Sequence, residues 1–178
     1  PGENAQRYFA KYNKQKRTFE ALTELIQETA DDIQYLESIS NALDIALSEA
    51  DLAQIKEELM QSGYIRRKHT KKKVKLTSKP MHYISSDGYD MYVGKNNLQN
   101  EELTFSFANG NDWWFHAKGA PGSHVIVKSG GDELPDRTFE EAGRLAAYYS
   151  KNRGADKVEI DYIQKKHVKK PNGAKPGF

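Results

Sequence analysis

The segment from Glu3 to Leu47 carries a seven-residue apolar repeat and contains no Gly or Pro. One line of the repeat contains Ala5, Tyr12, Phe19, Ile26, Ile33, Ser40 and Leu47. The other contains Tyr8, Gln15, Leu22, Thr29, Leu36 and Leu43. A repeat sustained over about six heptads predicts a helix roughly 60 to 70 Å long with a coiled-coil seam. Because the seam would otherwise expose its apolar stripe to water, it needs a partner helix, either a second arm or another copy of the chain.

The composition excludes several classes of protein. The chain has 178 residues and no cysteine, with 29% charged and 37% hydrophobic residues. It can therefore build a small domain plus an extension, but neither a disulfide framework nor a thiolate metal site. No segment has the apolar length of a signal peptide or a membrane span. These features predict a cytoplasmic protein, with the cell surface open as a second location by a route without a signal peptide.

The net charge of +2 conceals a strong segregation of charge. No acidic residue lies between Glu58 and Asp87 or after Asp161. The basic residues of the first stretch are Arg66, Arg67, Lys68, Lys71, Lys72, Lys73, Lys75 and Lys79. Those of the second stretch are Lys165, Lys166, Lys169, Lys170 and Lys175. We interpret the first stretch as a solvated connector and the second as a basic tail.

Cap and turn signals divide the chain into three parts. The run from Ser48 to Asp51 predicts a capped short helix that ends at Gly63. Residues 1–63 are then a coiled-coil arm with a short return helix, residues 64–79 a basic linker, and residues 80–178 a second domain. Alternating apolar residues in this domain predict short strands at 82–85, 89–93, 103–107, 113–118, 124–128 and 158–162.

A covering helix completes the predicted second domain. Thr138 to Glu141 reads as a capping box, and the apolar stripe that follows it predicts a helix that stops at Gly154. The predicted fold class is therefore α+β, a long coiled-coil helical arm followed by a mainly antiparallel β-sheet domain with a covering helix.

Residues 111–124 read Asn-Asp-Trp-Trp-Phe-His-Ala-Lys-Gly-Ala-Pro-Gly-Ser-His and contain both tryptophans of the chain. Successive strand residues point to opposite faces, so the rings of residues 113–115 cannot all enter one core. We expect at least two of these rings to be structural and one sheet face to meet a partner or a second layer. The turn at residues 121–123 offers backbone amides near Lys118, either for a phosphate or as a plain β-turn.

Metal or catalytic chemistry explains the same run less well. Asp112, His116 and His124 would converge only if their strands are neighbours, and their spacing matches no standard zinc pattern. Ser123 and His124 cannot form a nucleophile and base by adjacency, because their side chains point to opposite faces. Aromatic faces, amide donors and two basic stretches together favour an RNA-binding surface. We therefore predict a protein that is not an enzyme and has no cofactor and no metal.

Two long motifs resemble a known family. Residues 112–127 (Asp-Trp-Trp-Phe-His-Ala-Lys-Gly-Ala-Pro-Gly-Ser-His-Val-Ile-Val) and 86–97 (Ser-Asp-Gly-Tyr-Asp-Met-Tyr-Val-Gly-Lys-Asn-Asn) resemble the NFACT-R domain of the fibronectin-binding protein A or NFACT family. Residues 165–178 resemble the end motif of this family, and residues 3–14 the opening of its second coiled-coil arm. The resemblance covers essentially the whole chain. One departure is Gly119-Ala120, where the family usually has Asp and an aliphatic residue, so no role of that acid is carried over.

The resemblance implies a function in bacterial ribosome quality control. It implies a factor that binds the large ribosomal subunit with its stalled nascent chain and recruits tRNA for alanine tailing, without being a hydrolase. In the same family, streptococcal members are described as surface proteins that bind host fibronectin, so an adhesin is the alternative. The resemblance also implies an N-terminal domain that holds most of the tRNA determinants of the family, and we do not expect that domain within this sequence. The arm is implied to be one helix of an antiparallel hairpin.

The candidate site residues come from the shared motif and the basic tail. For RNA or partner binding we select Asp112, Trp114, His116, Lys118, Gly122, Ser123, His124, Lys165, Lys166, Lys169 and Lys170. The core of the shared motif also contains Trp113, Phe115 and Pro121. For the coiled-coil interface we select Phe19, Leu22, Ile26, Ile33, Leu36 and Leu43. The predicted partners are the large ribosomal subunit and tRNA, with host fibronectin as the alternative partner, and no membrane span is predicted.

The unpaired seam predicts that the chain associates with itself. We expect at least a dimer that buries Phe19, Ile26, Ile33, Leu36 and Leu43, because the seam otherwise has no apolar partner. Light scattering at several protein concentrations measures the mass in solution. A monomer whose arm is fully helical would contradict this prediction.

Overall fold

The computed structural model describes residues 2–66, 77–171 and 176. It forms two compact units, Pro1–Glu37 and Ser38–Phe178. Helix α1 (Gly2–Ile45) contributes residues to both units, and helix α2 (Glu49–Gln61) belongs to the second. The predicted long helix is confirmed. Most of the basic linker and the end of the basic tail, with Lys175, lie outside the described residues, and the predicted domain boundaries stay a prediction.

In the first unit, the predicted seam of α1 is exposed along its length. Phe19 is 71% exposed, and the other seam residues of this unit are exposed as well: Leu22, Ile26, Ile33 and Leu36. Such a row of large apolar side chains in water is unfavourable by roughly 25 cal/mol for each Å² that a partner would cover. The exposure agrees with an unpaired seam, whereas self-association itself stays a prediction.

In the second unit, the last residues of α1 use a different face for packing. Ile39, Ala42 and Ile45 are buried, while the seam residue Leu43 is exposed. The Asn41 side chain donates a hydrogen bond to the carbonyl of Tyr149 at 3.2 Å. Because the buried face and the seam lie on different sides of the helix, docking of this segment leaves the seam free for a partner.

The second unit contains a five-stranded antiparallel sheet with the strand order β1-β2-β4-β3-β5. The strands are β1 (Met81–Ile84), β2 (Asp90–Val93), β3 (Trp113–Ala117), β4 (Val125–Val127) and β5 (Ile160–Gln164). The other elements of this unit are α3 (Asn97–Glu102), a π-helical turn (Leu103–Phe107), α4 (Asp136–Tyr148) and a short 3₁₀ turn (Lys165–His167). The predicted α+β class is confirmed.

The two faces of the sheet are covered by different helices. On one face, Phe115, Val125 and Val127 pack against α4 through Ala142 and Ala146. On the other face, Ile126 packs against Leu103 and Ala108 from the segment around the π-helical turn. We predicted the covering helix on the first face. For the other face we expected a partner or a second layer, but we did not predict that α3 and the π-helical turn build this layer.

The alternation of Leu103, Phe105 and Phe107 predicted a strand, and this prediction is wrong. Asn96 caps a helix instead, since its side chain accepts a hydrogen bond from the backbone amide of Gln99 at 2.9 Å. The helix continues into the π-helical turn, in which Leu103 is buried against the sheet and Phe107 is exposed. A capping asparagine outweighs a short period-two pattern because it satisfies amides that the helix leaves without partners.

The capping box predicted at Thr138 is also wrong. Helix α4 begins two residues earlier, at Asp136, with Pro135 before it. The Thr138 hydroxyl instead donates to the carboxylate of Asp87 and shares a hydrogen bond with the hydroxyl of Ser85, and the carboxylate of Glu141 accepts from Ser86. These side chains attach the turn after β1 to α4, so tertiary contacts have taken the groups that would cap the helix.

The capping box predicted at Ser48 is confirmed, and its acid has a second role. The buried carboxylate of Asp51 accepts from the backbone amides of Leu47 and Ser48, and it pairs with Lys95 at 2.5 Å. The Ser78 hydroxyl donates to the same carboxylate. Asp51 therefore both starts α2 and fixes it to the loop after β2.

Replacing Asp51 should destabilise the fold in a way that depends on pH. Burial raises the pKa of Asp51, but hydrogen bonds from Lys95 and Ser78 outweigh this effect and hold the pKa well below 3.8. Asp51→Asn leaves Lys95 without its buried counter-charge, so we expect a loss of roughly 3 kcal/mol in the free energy of unfolding at pH 7. Urea unfolding of the variant and the wild type measures the difference.

The same comparison of wild type and variant at acidic pH tests the predicted direction of the pH dependence. A carboxylate with a lowered pKa stabilises the fold above pH 3.8, and its contribution is lost below that value because the unfolded chain takes up the proton first. The difference between wild type and variant should therefore shrink as the pH falls below 3.8. Glu49→Gln, at an exposed acid of the same helix, is the control and should change stability little. An equal loss from both variants would contradict the assignment.

Candidate nucleic-acid interface

Strand β3 distributes the aromatic run between the two faces of the sheet. Trp113 and Phe115 face α4, where their rings lie 5.1 and 4.9 Å from the ring of Phe139. Trp114 and His116 face the other side, with their rings stacked at 5.7 Å. Trp114 also joins the cluster of Leu103 and Ile126 and is only partly exposed. The rings of this run thus serve mainly as packing between layers.

His124 is a buried structural residue in this arrangement. Its backbone amide donates to Oδ1 of Asn100 at 2.9 Å, and its Nδ1 lies 2.8 Å from the hydroxyl of Thr104. Burial, together with the neighbouring His116, lowers the pKa of His124 to about 3. The imidazole is therefore neutral at pH 7 and does not offer a positive charge to a phosphate.

Of the two alternatives for the turn at Gly122 and Ser123, the contacts favour a packed β-turn, since the Ser123 amide is not free for a phosphate. The Ser123 amide donates to the carbonyl of Tyr149 at 3.0 Å, and the carbonyl of Gly122 accepts from the side chain of Asn100. Ser123 is 1% exposed. A Cβ on Gly122 would lie 3.1 Å from Cβ of Ser150, which is closer than most packed side chains approach. The turn is packed against the residues around Ser150, and this close approach explains why position 122 is a glycine.

Asp112 is likewise buried and internally paired. Its carboxylate accepts from the amide of Asn109 at 2.7 Å and forms an ion pair with Lys128. The carbonyl of Asp112 accepts from the amide of Lys165 at 2.8 Å. The residue therefore ties the loop before β3 to the end of β4 and to the start of the basic tail.

Lys118 and His116 lie at the opposite end of β3. Lys118 is exposed and pairs with Glu159 at 3.2 Å, and this hydrogen bond raises the pKa of Lys118. Burial lowers the pKa of His116, against the opposing effect of Asp161. Gly119, which follows Lys118, has φ of 63°, a left-handed conformation that favours glycine. Lys118 is the accessible cation at this end of β3, although Glu159 partly neutralises its charge.

The basic tail lies beside the loop that precedes β3. The backbone amide of Lys166 donates to the carbonyl of Gly110 at 2.9 Å, and Lys170 pairs with Glu101 at 2.8 Å. Lys165 and Lys170 are half-buried, whereas Lys166 and Lys169 are exposed. No ion pair among residues 2–66, 77–171 and 176 involves Lys166 or Lys169. These two lysines are the cations of the tail that are most accessible to phosphate.

The selected residues therefore form two groups. The structure brings Asp112 together with Lys165 and Lys166 at one end of β3, and it places Lys118, His116 and the 122–124 turn at the other end. Trp114 lies between them, partly covered by the π-helical turn.

Sequence reasoning missed a third group of accessible side chains, the rings of His82, Tyr92 and Phe107. His82 and Tyr92 are directly opposite in the β1–β2 register, and their rings stack at 4.7 Å. Phe107 contacts Tyr92 edge-on, also at 4.7 Å, and Lys128 Nζ lies 4.8 Å from the centre of its ring. Alternation in the strands predicts the faces of His82 and Tyr92, but Phe107 reaches them only because the π-helical turn is not a strand.

The described residues show no other feature with the character of a site. They contain no group of His, Cys, Asp and Glu arranged to hold a metal ion, and no helix among them is long and apolar enough to cross a membrane. A shallow cleft of about 530 Å³ lies beside α4, lined among others by Glu140, Arg144, Tyr148, Arg153 and Asp156. Its arginines are offset by acids, so its charge does not select for phosphate.

Both parts of the chain are similar to known protein families. Residues 79–176 match the model of the NFACT protein RNA binding domain, and residues 1–78 match the model of the NFACT N-terminal and middle domains. The chain is 48% identical over 179 residues to the Rqc2 homolog RqcH of Streptococcus pneumoniae and 43% identical over 183 residues to that of Bacillus subtilis. These alignments cover 100% of this chain and 32% and 31% of the relatives. The chain thus spans about a third of the length of these curated relatives.

A solved structure has the same fold. It is the C-terminal part of the fibronectin/fibrinogen-binding protein from Streptococcus suis, with a TM-score of 0.89 and 47% identity. The match covers 98% of this chain and 70% of that structure.

Proposed function

Because the chain belongs to the NFACT family, we propose that it binds RNA as part of a factor of ribosome quality control. The observation that carries this proposal is the match of residues 79–176 to the NFACT RNA binding domain. The relatives named RqcH, at 43% to 48% identity over the whole chain, support the same process. The proposed partners are tRNA and the large ribosomal subunit, which places the protein in the cytoplasm.

The accessible cations support binding through the RNA backbone. Lys166 and Lys169 are exposed, and Lys165 and Lys170 flank them on the same short segment. Neutralising a phosphate releases bound counter-ions, so such contacts dominate affinity at low salt. Since the tail is held by backbone hydrogen bonds to Gly110 and Asp112, its lysines have a defined position next to the sheet.

We also propose that the protein is not an enzyme. His116 and His124 face each other at 5.3 Å, but His124 is buried and hydrogen-bonded to Thr104. Ser123 has its hydroxyl buried as well. A nucleophile and its base need access to a substrate, and this pair offers none.

Lys166→Ala with Lys169→Ala should weaken binding to tRNA and reduce its salt dependence. Each lost phosphate contact lowers the slope of log affinity against log salt by roughly 0.7 to 0.9, so we expect a reduction of about 1.5 for the double variant. Fluorescence anisotropy with labelled tRNA at a series of salt concentrations measures the slope.

The matched control for this test is Lys157→Ala, an exposed lysine in the loop before β5. It should leave both affinity and slope close to those of the wild type. A wild-type protein that fails to bind tRNA and large subunits at low salt, or that binds with no salt dependence, would overturn the proposal.

A second candidate function is binding to fibronectin, favoured by the similarity to the fibronectin/fibrinogen-binding protein from Streptococcus suis. It predicts saturable binding of the whole chain to immobilised fibronectin in a biosensor titration, with albumin as the control surface. The Lys166→Ala, Lys169→Ala variant separates the two functions, since it should lose RNA affinity and keep any fibronectin affinity. RNA binding without fibronectin binding removes this candidate.

A further inference from the structure

We infer that His82, Tyr92 and Phe107 form a platform on which unpaired RNA bases stack. We call these three residues the aromatic platform. The inference rests on the proposed RNA binding and names the part of the RNA that this face recognises. It concerns residues outside the motif of residues 112–124, on the same face of the sheet as Trp114.

The aromatic platform is a continuous surface of rings. The rings of His82 and Tyr92 are stacked with planes that differ by 14°, so a base can continue the stack on the side of His82 that faces away from Tyr92. Phe107 meets Tyr92 at 67° and extends the surface toward the π-helical turn. Aromatic side chains on an open sheet face accept bases of single-stranded RNA by stacking, because every base has a flat π-face.

The platform is accessible and at the same time anchored. The His82 side chain is 47% exposed and Phe107 is 42% exposed, while Tyr92 packs against the cluster of Leu103, Ala108 and Ile126. Ile84, two residues from His82 on the same face of β1, is 67% exposed. The α3 layer ends before this edge of the sheet. Apolar and aromatic groups that would be buried elsewhere on this face are therefore exposed to water here.

The charges around the rings favour a base over a phosphate. The His82 ring nitrogen is hydrogen-bonded to the carboxylate of Asp90 at 2.6 Å, and Lys128 beneath Phe107 is paired with the buried Asp112. The platform therefore does not present an unpaired lysine to a phosphate. Cations for the phosphates lie next to the platform, because the backbone amide of Lys166 donates to the carbonyl of Gly110, three residues beyond Phe107. A duplex keeps its bases stacked inside, so the ligand of this surface is single-stranded RNA.

The experiment separates base contacts from phosphate contacts. Binding of a labelled oligoadenylate is compared with binding of an abasic oligonucleotide of the same length, for the wild type and for Phe107→Ala and His82→Ala. Loss of a stacked ring should weaken oligoadenylate binding by about fivefold or more and leave abasic binding unchanged. Phe107→Trp, which keeps a ring, should retain wild-type affinity.

Two controls exclude general effects. Tyr148→Ala removes a more exposed ring on α4, away from the platform, and should not change oligoadenylate binding. Thermal unfolding of each variant shows that the fold is kept. As a direct readout in the wild type, RNA that carries 5-iodouridine should cross-link to the platform residues.

The outcomes distinguish this inference from the function on which it rests. If the wild type binds both oligonucleotides equally and Phe107→Ala has no effect, RNA binding stands and the platform is overturned. Full rescue by Phe107→Leu would also overturn it, since that result indicates an apolar contact of the kind a protein partner makes. If the wild type binds neither oligonucleotide nor tRNA, both proposals fail.

Discussion

The side-chain amide of Asn100 is the contact on which the second unit depends. Its Oδ1 accepts from the amide of His124 and its Nδ2 donates to the carbonyl of Gly122. Gly94 approaches so closely that a Cβ there would lie 2.2 Å from that Oδ1. A buried amide with its partners in place allows few alternative arrangements, so α3 is fixed at one position on the sheet. That position decides which part of the face is covered and which rings stay accessible.

The ion pairs of this unit separate structural lysines from accessible ones. Lys95 and Lys128 each pair with a carboxylate that is 1% exposed, and breaking either pair would leave a buried charge. Lys118 and Lys170 pair with more exposed acids, which weakens but does not remove their attraction for a phosphate. A basic composition therefore does not translate directly into a basic binding surface, and Lys166 and Lys169 carry more of the proposed function than their number suggests.

The candidate site could be predicted from sequence only in part. Exposure of Lys118, Lys166 and Lys169 is expected from the sequence, because a lysine is rarely buried. Burial of the 122–124 turn does not, because it results from contacts with Asn100 and Tyr149, which are distant in sequence. A Gly-Ser turn next to a histidine looks the same in sequence whether water or another layer lies beside it.

The sequence by itself determined the long helix, the antiparallel strands and the capped start of α2, because each follows from local periodicity or from a capping group within a few residues. It also determined the family, through motifs that run for a dozen residues or more. The tertiary structure alone decided that residues 103–107 form a π-helical turn rather than a strand and that Thr138 and Glu141 bind the turn after β1. It also decided that His82, Tyr92 and Phe107 meet. These outcomes depend on which distant groups compete for the same hydrogen bonds and apolar contacts, and that competition is settled only when the layers pack.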